Sequence, residues 1–335
     1  MLFVDTSTGR LRALWRLVIQ YCAFRLLVPL VFNVLVVALV LAVYGGRTGG
    51  FSTPLVPDSP AVPLASGAAG LVGAVLSVWL AGRYIDRRPF SAFGFRLGAG
   101  WWLDLLFGMI LGALLITTIF VVELGLGWVE VTGSFETPGA PFAVSILFPA
   151  ALFVCVGISE ETVFRGYQLK NAAEGLDYPA LGPRNAVVLA WVLSSVFFAL
   201  LHADNPNATT VSTLNIALAG LMLGCGYVLS GELAIPIGLH VTWNFFQGAV
   251  YGLPVSGLGS FGATFLATTQ TGPNLWTGGS FGPEGGLLAP AIMLLGIVLI
   301  ALWTRLRTGK VAIDPLIAEA PSSVRTDTHH DQPKR

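Results

Sequence analysis

The sequence predicts an all-α fold, a polytopic membrane bundle of about eight transmembrane helices, and three observations carry that prediction. Charged residues make up 11% of the 335-residue chain and hydrophobic residues 54%, whereas a soluble domain carries roughly 25% charge. The apolar residues come in blocks of about 20, the number a helix needs to cross a hydrocarbon core. Lys and Arg gather in alternate connections, as the positive-inside rule requires of a chain threaded back and forth through a bilayer.

Residues 1–23 are expected to form a cytoplasmic or interfacial N-terminal segment, and their basic residues precede an apolar run in the manner of a signal peptide. The run is too long for one, keeps Arg25 and has no small-x-small cleavage site, so a retained signal anchor is expected. Residues 11–23, with Arg12 and Arg16 among Leu, Trp and Val, suit the membrane interface. The membrane domain is expected over 24–304, with spans at 24–44, 61–82, 101–125, 141–169, 186–203, 211–230, 233–251 and 286–304. Arg10, Arg12 and Arg16 precede the first span, and Arg83, Arg87, Arg88 and Arg96 follow the second. Lys170 and Arg184 follow the fourth, and Arg305, Arg307 and Lys310 follow the eighth, while Arg47 is the single basic residue of the alternate loops. Even-numbered spans then end in the cytoplasm, and both termini of a multi-pass cell-membrane protein are expected there. Gly67, Gly70 and Gly73 in the second span, and Gly220 and Gly224 in the sixth, suit close helix packing. The connection 252–285 is rich in Gly and aromatic residues, nearly uncharged, and expected outside. It is either a surface loop or a re-entrant cap, whose irregular backbone would have to be buried against protein. Residues 305–335 are polar and expected to form a disordered cytoplasmic tail.

Composition also removes function classes. Net charge is zero and no basic domain exists, so no nucleic-acid partner is expected. Cys22, Cys155 and Cys225 fall in separate apolar blocks, without the paired spacing of a disulfide framework or a zinc knuckle. No internal repeat is visible, which weakens a secondary transporter.

What stands out is ionisable residues where they are expensive. A charge at the bilayer centre costs about 2.5–3.5 kcal/mol even on an insertion scale, yet the spans hold Glu160, Glu161, Arg165, His202 and His240. Of four histidines, the two outside the tail are both in this set. Glu161 and Arg165 form an i,i+4 pair with the acid N-terminal, the favoured order, which points to a structural or orienting pair. Glu160 is turned about 100° away and has no cation in its own segment. A carboxylate beside a second one in low dielectric is poised to take up a proton, as a general base must be. His202 follows Phe198 by one turn, and His240 and Asn244 share a face, offering a ring N–H and an amide side by side to a developing oxyanion.

These residues form Glu160-Glu161-Thr-Val-Phe-Arg165, then Phe198-Ala-Leu-Leu-His202, then His240-Val-Thr-Trp-Asn244. The order EExxxR, FxxxH, HxxxN on successive spans resembles the CPBP family of CAAX-type intramembrane proteases, also known as the Abi family. The resemblance covers about residues 80–305, with the catalytic core about 141–251. The family includes enzymes that trim prenylated CAAX proteins and prokaryotic members linked to bacteriocin self-immunity. The resemblance implies an eight-helix endopeptidase that cuts a membrane-anchored protein or peptide near its C terminus or the membrane boundary. Glu160 and His202 would activate water, and His240 and Asn244 would steady the tetrahedral intermediate. Glu160, His202 and His240 could also form a two-His, one-Glu zinc shell. The metal-free, glutamate-dependent form is preferred, since no HExxH helix is present. Two other classes stay open: a non-catalytic immunity or scaffold protein on the same fold, and a transporter. One mismatch attends the reading, since helix ends put His202 near the outer end of its span and His240 in the inner half of its own.

Overall fold

The structure, a computed structural model, describes residues 3–5, 9–44, 61–137, 140–259 and 261–321. A short antiparallel pair, β1 (Val4–Asp5) and β2 (Arg10–Leu11), leads into α1 (Ala13–Tyr44). The expected interfacial segment and first span are thus one continuous helix, because nothing in 13–28 breaks it and Arg16 is buried by protein rather than lying at the surface. Then follow α2 (Ala61–Leu80), extended by a π-helical turn over Ala81–Asp86, and α3 (Ala99–Gly125). Strand β3 (Val129–Glu136), short α4 (Phe142–Ser145) and α5 (Leu147–Glu161) come next. A π-helical stretch over Thr162–Leu169 joins α5 to α6 (Lys170–Leu176). Helix α7 (Gly182–Leu201) precedes α8 (Thr210–Ser230), which starts on a reciprocal Thr209/Ser212 capping box and stops at Gly231 in the left-handed region. Helix α9 (Ala234–Phe245) ends in a π-helical turn over Phe246–Val250. Strand β4 (Thr264–Gln270), one-turn α10 (Asn274–Thr277) and α11 (Leu288–Thr308) follow.

Among the described residues, seven helical segments are long and apolar enough to cross a membrane by length and composition. They correspond to every expected span except 233–251. That segment is α9 and its π turn, shorter than the others and buried along most of its length by neighbouring helices. Its tightest neighbour is α3. A Cβ at Gly112 would lie 2.3 Å from the Leu239 carbonyl oxygen, and one at Gly238 would lie 2.3 Å from that of Leu105. The two backbones touch because neither glycine interposes a side chain, the device by which membrane helices approach closely. Gly220 and Gly224 do the same for α8, facing Ser195 and the Trp191 indole of α7.

The connection 252–285 carries structure of its own, and Leu253, Val255, Phe281 and Glu284 within it are buried. Its β4 pairs antiparallel with β3, from Val129–Gln270 to Glu136–Thr264, with a bulge between Val131 and Gly133. Gly257 N–H donates to the Phe281 carbonyl at 2.7 Å, and Asn205, at the α7–α8 turn, donates to the Ser256 carbonyl at 2.9 Å. This ribbon and the short β1–β2 pair are small additions to a mostly helical chain, which has the expected all-α, polytopic bundle architecture.

The tail needs a correction. Residues 305–308 finish α11, and 315–318 form a 3-10 turn with Ile317 and Ala318 buried. Lys170 donates to the Ile317 carbonyl at 3.4 Å and Arg88 to that of Glu319. Two apolar side chains and a ring of donors at the α6 end hold what composition alone labels a polar tail. Residues 322–335 of that expected tail lie outside the described residues. The turn borders a buried ion network. Arg16 bonds Asp86 at 2.9 Å and Glu174 at 2.8 Å, and Glu174 also takes Arg10 and Arg88. Loss of solvation pulls the Arg88 guanidinium below its ordinary range, with Glu174 opposing that shift. The N-terminal helix is thereby tied to the middle of the chain.

Candidate active site

Glu160 and Glu161 close the last α-helical turn of α5, and the π-helical stretch begins at the next residue. Such widened turns concentrate at functional sites, because they re-aim the side chains around them. Glu161 is fully enclosed, and its Oε1 accepts two hydrogen bonds. One comes from Arg165 Nη1 at 2.9 Å, the other from His240 Nδ1 at 2.8 Å. Arg165, 1% exposed, also donates to the Gly220 carbonyl of α8 at 3.2 Å, and its guanidinium lies 4.5 Å from the centroid of the Phe198 ring on α7. One arginine therefore joins α5, α7 and α8 beneath the site.

Both histidines are held by Nδ1. His202 Nδ1 donates to the Phe198 carbonyl at 2.8 Å, and its ring lies 4.5 Å from that of Phe198. His240 Nδ1 faces a carboxylate, so it carries the proton and leaves Nε2 for other work. That Nε2 lies 3.9 Å from Glu160 Oε2. Glu160 is less enclosed than its neighbour, with 27% of its side chain exposed. One turn after His240, Asn244 is buried on the same helix.

A cavity of about 610 Å³ is lined by Glu160, His202, His240 and Asn244 together. Sequence positions far apart on α5, α7 and α9 thus meet at one space. His202 caps the end of α7 and His240 lies in the middle of α9, yet both line that space, so the mismatch expected from helix ends does not keep them apart. A smaller apolar recess shares His202, His240, Asn244 and Ser256 with the cavity and runs inward past Met222 and Leu239.

Glu284 also lines that recess and is missing from the sequence reading. Its Oε1 accepts from the Ser256 N–H, and its Oε2 from the Gln247 amide, which itself accepts from the Trp243 indole at 2.9 Å. The signal is present in the sequence: Glu284 is the single acidic residue of 252–285. Burial pushes its carboxyl up to about 7, against the pull of its hydrogen-bond donors. The folded state then holds this proton to higher pH than the unfolded chain, so the stability Glu284 contributes is present below about 4.5 and is lost as pH rises through about 7. Glu284→Gln cannot titrate. The thermal midpoint of the variant, relative to the parent, should therefore climb between pH 5 and pH 7.5, and a constant difference would contradict the assignment.

The donor set does not gather around a metal position. Among the described residues no group of three His, Cys, Asp or Glu side chains is placed to hold one. Glu160, His202 and His240 share the cavity without converging as ligands.

Residues 142–246 match the family model described as type II CAAX prenyl endopeptidase, Rce1-like. The matched segment runs from the start of α4 to the residue after α9 and contains all three motifs, so the resemblance to CPBP proteases is borne out there. The match supports a CAAX-type intramembrane endopeptidase in general terms, within a multi-pass helical membrane protein. No curated protein and no solved structure gives a match.

Proposed function

We propose that this chain is an intramembrane endopeptidase that hydrolyses a peptide bond of a membrane-anchored protein or peptide with water activated by Glu160. One observation carries the proposal: Glu160, His202, His240 and Asn244, supplied by α5, the end of α7 and α9, line a single cavity. Glu160, partly exposed to that cavity and free of a Lys or Arg partner among the described residues, takes a proton from water. The water oxygen then bonds to the scissile carbonyl carbon. His202, fixed through Nδ1, orients the water with Nε2. The Asn244 amide faces the developing oxyanion, together with His240 Nε2 when that atom carries a proton. Glu161 holds His240 in orientation, as a carboxylate behind a catalytic imidazole does. Collapse of the intermediate breaks the C–N bond, and the proton on Glu160 passes to the leaving amine.

The test is cleavage of a membrane-anchored peptide library by purified protein in detergent, with and without a zinc chelator. Product formation that Glu160→Gln abolishes supports the reading. Chelator sensitivity would move the mechanism to a metal and leave the protease in place. Wild-type protein that is folded and cleaves nothing would favour a non-catalytic scaffold.

The same reading places both termini in the cytoplasm, supported by the Lys and Arg asymmetry. With Cys22, Cys155 and Cys225 replaced, an impermeant thiol reagent applied outside intact cells should label Phe135→Cys and spare Phe90→Cys and Ala320→Cys. Labelling of positions 90 and 135 from the same side would refute the arrangement.

A further inference from the structure

Arg25 sits within α1, outside the segment matched by the family model and apart from every motif. It nevertheless lines the cavity that holds Glu160, His202, His240 and Asn244, where it is the one cation among the described lining residues. No ion pair or hydrogen bond joins its side chain to another described residue. Arg165, the other arginine deep in a span, has Glu161 at 2.9 Å. An unpaired cation at membrane depth costs about 2.5–3.5 kcal/mol and marks a functional site by default.

Its depth narrows the choice of anion. On the same helix, Arg16 is fixed in the ion network with Asp86 and Glu174, which lie at the ends of the α2 and α6 segments. Arg25 is nine residues further on, roughly 13 Å along the axis. That distance takes it toward the middle of a core about 30 Å thick, far from the headgroup plane where lipid phosphates lie. A second groove of about 360 Å³ begins at the same residue and is lined by Phe24, Val28, Pro29, Phe32 and Ser66. Arg25 therefore borders both the cavity that holds Glu160 and a mainly apolar groove.

We propose that Arg25 is a specificity residue that pairs with a carboxylate of the peptide substrate, either its free C terminus or an acidic side chain, while the groove beside it takes adjoining apolar side chains. The proposal rests on the protease reading for the identity of the occupant. A guanidinium matches a carboxylate by two parallel N–H···O bonds, and hydrogen bonds to charged groups are strong enough to discriminate.

Binding, which needs no turnover, separates the two claims. Glu160→Gln protein in nanodiscs is titrated with three peptides of one apolar, membrane-anchored sequence: a free acid, a C-terminal amide, and an amide with a single Asp. The free acid, the Asp peptide, or both should bind on the order of 10- to 100-fold more tightly than the neutral amide. Which of them does so identifies the source of the carboxylate. Adding Arg25→Gln should abolish the preference and leave the neutral amide unchanged, and Arg25→Lys should restore part of it. Equal affinity for all three peptides, or a preference that survives Arg25→Gln, overturns the proposal. So does an Arg25-dependent preference for phosphatidylglycerol over phosphatidylcholine with no peptide discrimination, which would assign the cation to a lipid phosphate. Selective binding without cleavage by the Glu160-intact protein would instead sink the protease reading alone.

Discussion

Glu160→Gln should stay folded and lose proteolysis by at least about 10²-fold, the low end of what a positioned general base contributes. The substitution keeps the side-chain volume and removes the proton acceptor. It should be tolerated structurally, because Glu160 makes no ion pair with a described Lys or Arg and is 27% exposed to the cavity. Glu161 beside it has the opposite character: enclosed, bonded to Arg165 and His240, and shared between two helices. The proposed mechanism thus gives two adjacent carboxylates different tasks, in keeping with their different surroundings. The rate should be compared with the thermal midpoint in one detergent preparation. Equal midpoints with a hundredfold slower rate assign the base, whereas unchanged cleavage would remove Glu160 from the mechanism. His202→Ala should behave like Glu160→Gln. Asn244→Ala should lose on the order of 10²–10³, the usual effect of deleting one oxyanion donor.

Much of this arrangement is legible in the sequence because membranes make polar groups costly. Glu160, Glu161, Arg165, His202, His240 and Asn244 stand out from apolar blocks, and helical spacing alone pairs Glu161 with Arg165 and His240 with Asn244. The structure reproduces the first pair as a 2.9 Å contact. Helical spacing is blind to what one helix does to another. The bond from His240 to Glu161 spans 79 residues, and it gives the second glutamate a partner that periodicity cannot supply. The β3–β4 ribbon escapes for the same reason, since its strands are joined only across most of the bundle. Ile317 and Ala318 fall in what reads as a polar tail because two buried side chains do not shift the average of a polar stretch. Arg25 enters the sequence reading only as an argument against a cleaved signal peptide. Its place on the cavity wall depends on how α1 packs, and no motif reports that.

Arg165→Ala should be the most damaging single change to folding, and its damage should be reversible in an informative way. The guanidinium is 1% exposed and Glu161 0% exposed, so removing the cation strands a buried carboxylate. Breaking such a pair from one side costs about 3–5 kcal/mol, a large part of the stability of an ordinary domain. The Gly220 carbonyl also loses its donor, and the Phe198 ring loses the cation stacked on it. Low yield and a depressed thermal midpoint are therefore expected. The pairing can be separated from the bulk of the side chain by the double variant Glu161→Gln, Arg165→Ala. The introduced glutamine carries no charge to strand, and its amide oxygen can still accept from His240 Nδ1. The double variant should recover much of the midpoint lost by the single one, with the remaining deficit set by Gly220, Phe198 and the missing volume. It should also recover some cleavage, because His240 is again held and Glu160, His202 and Asn244 are untouched. A double variant no better folded than Arg165→Ala would show that volume and the α8 contact outweigh the ion pair. An Arg165→Ala protein with wild-type midpoint and rate would refute the buried pair as a support of the site.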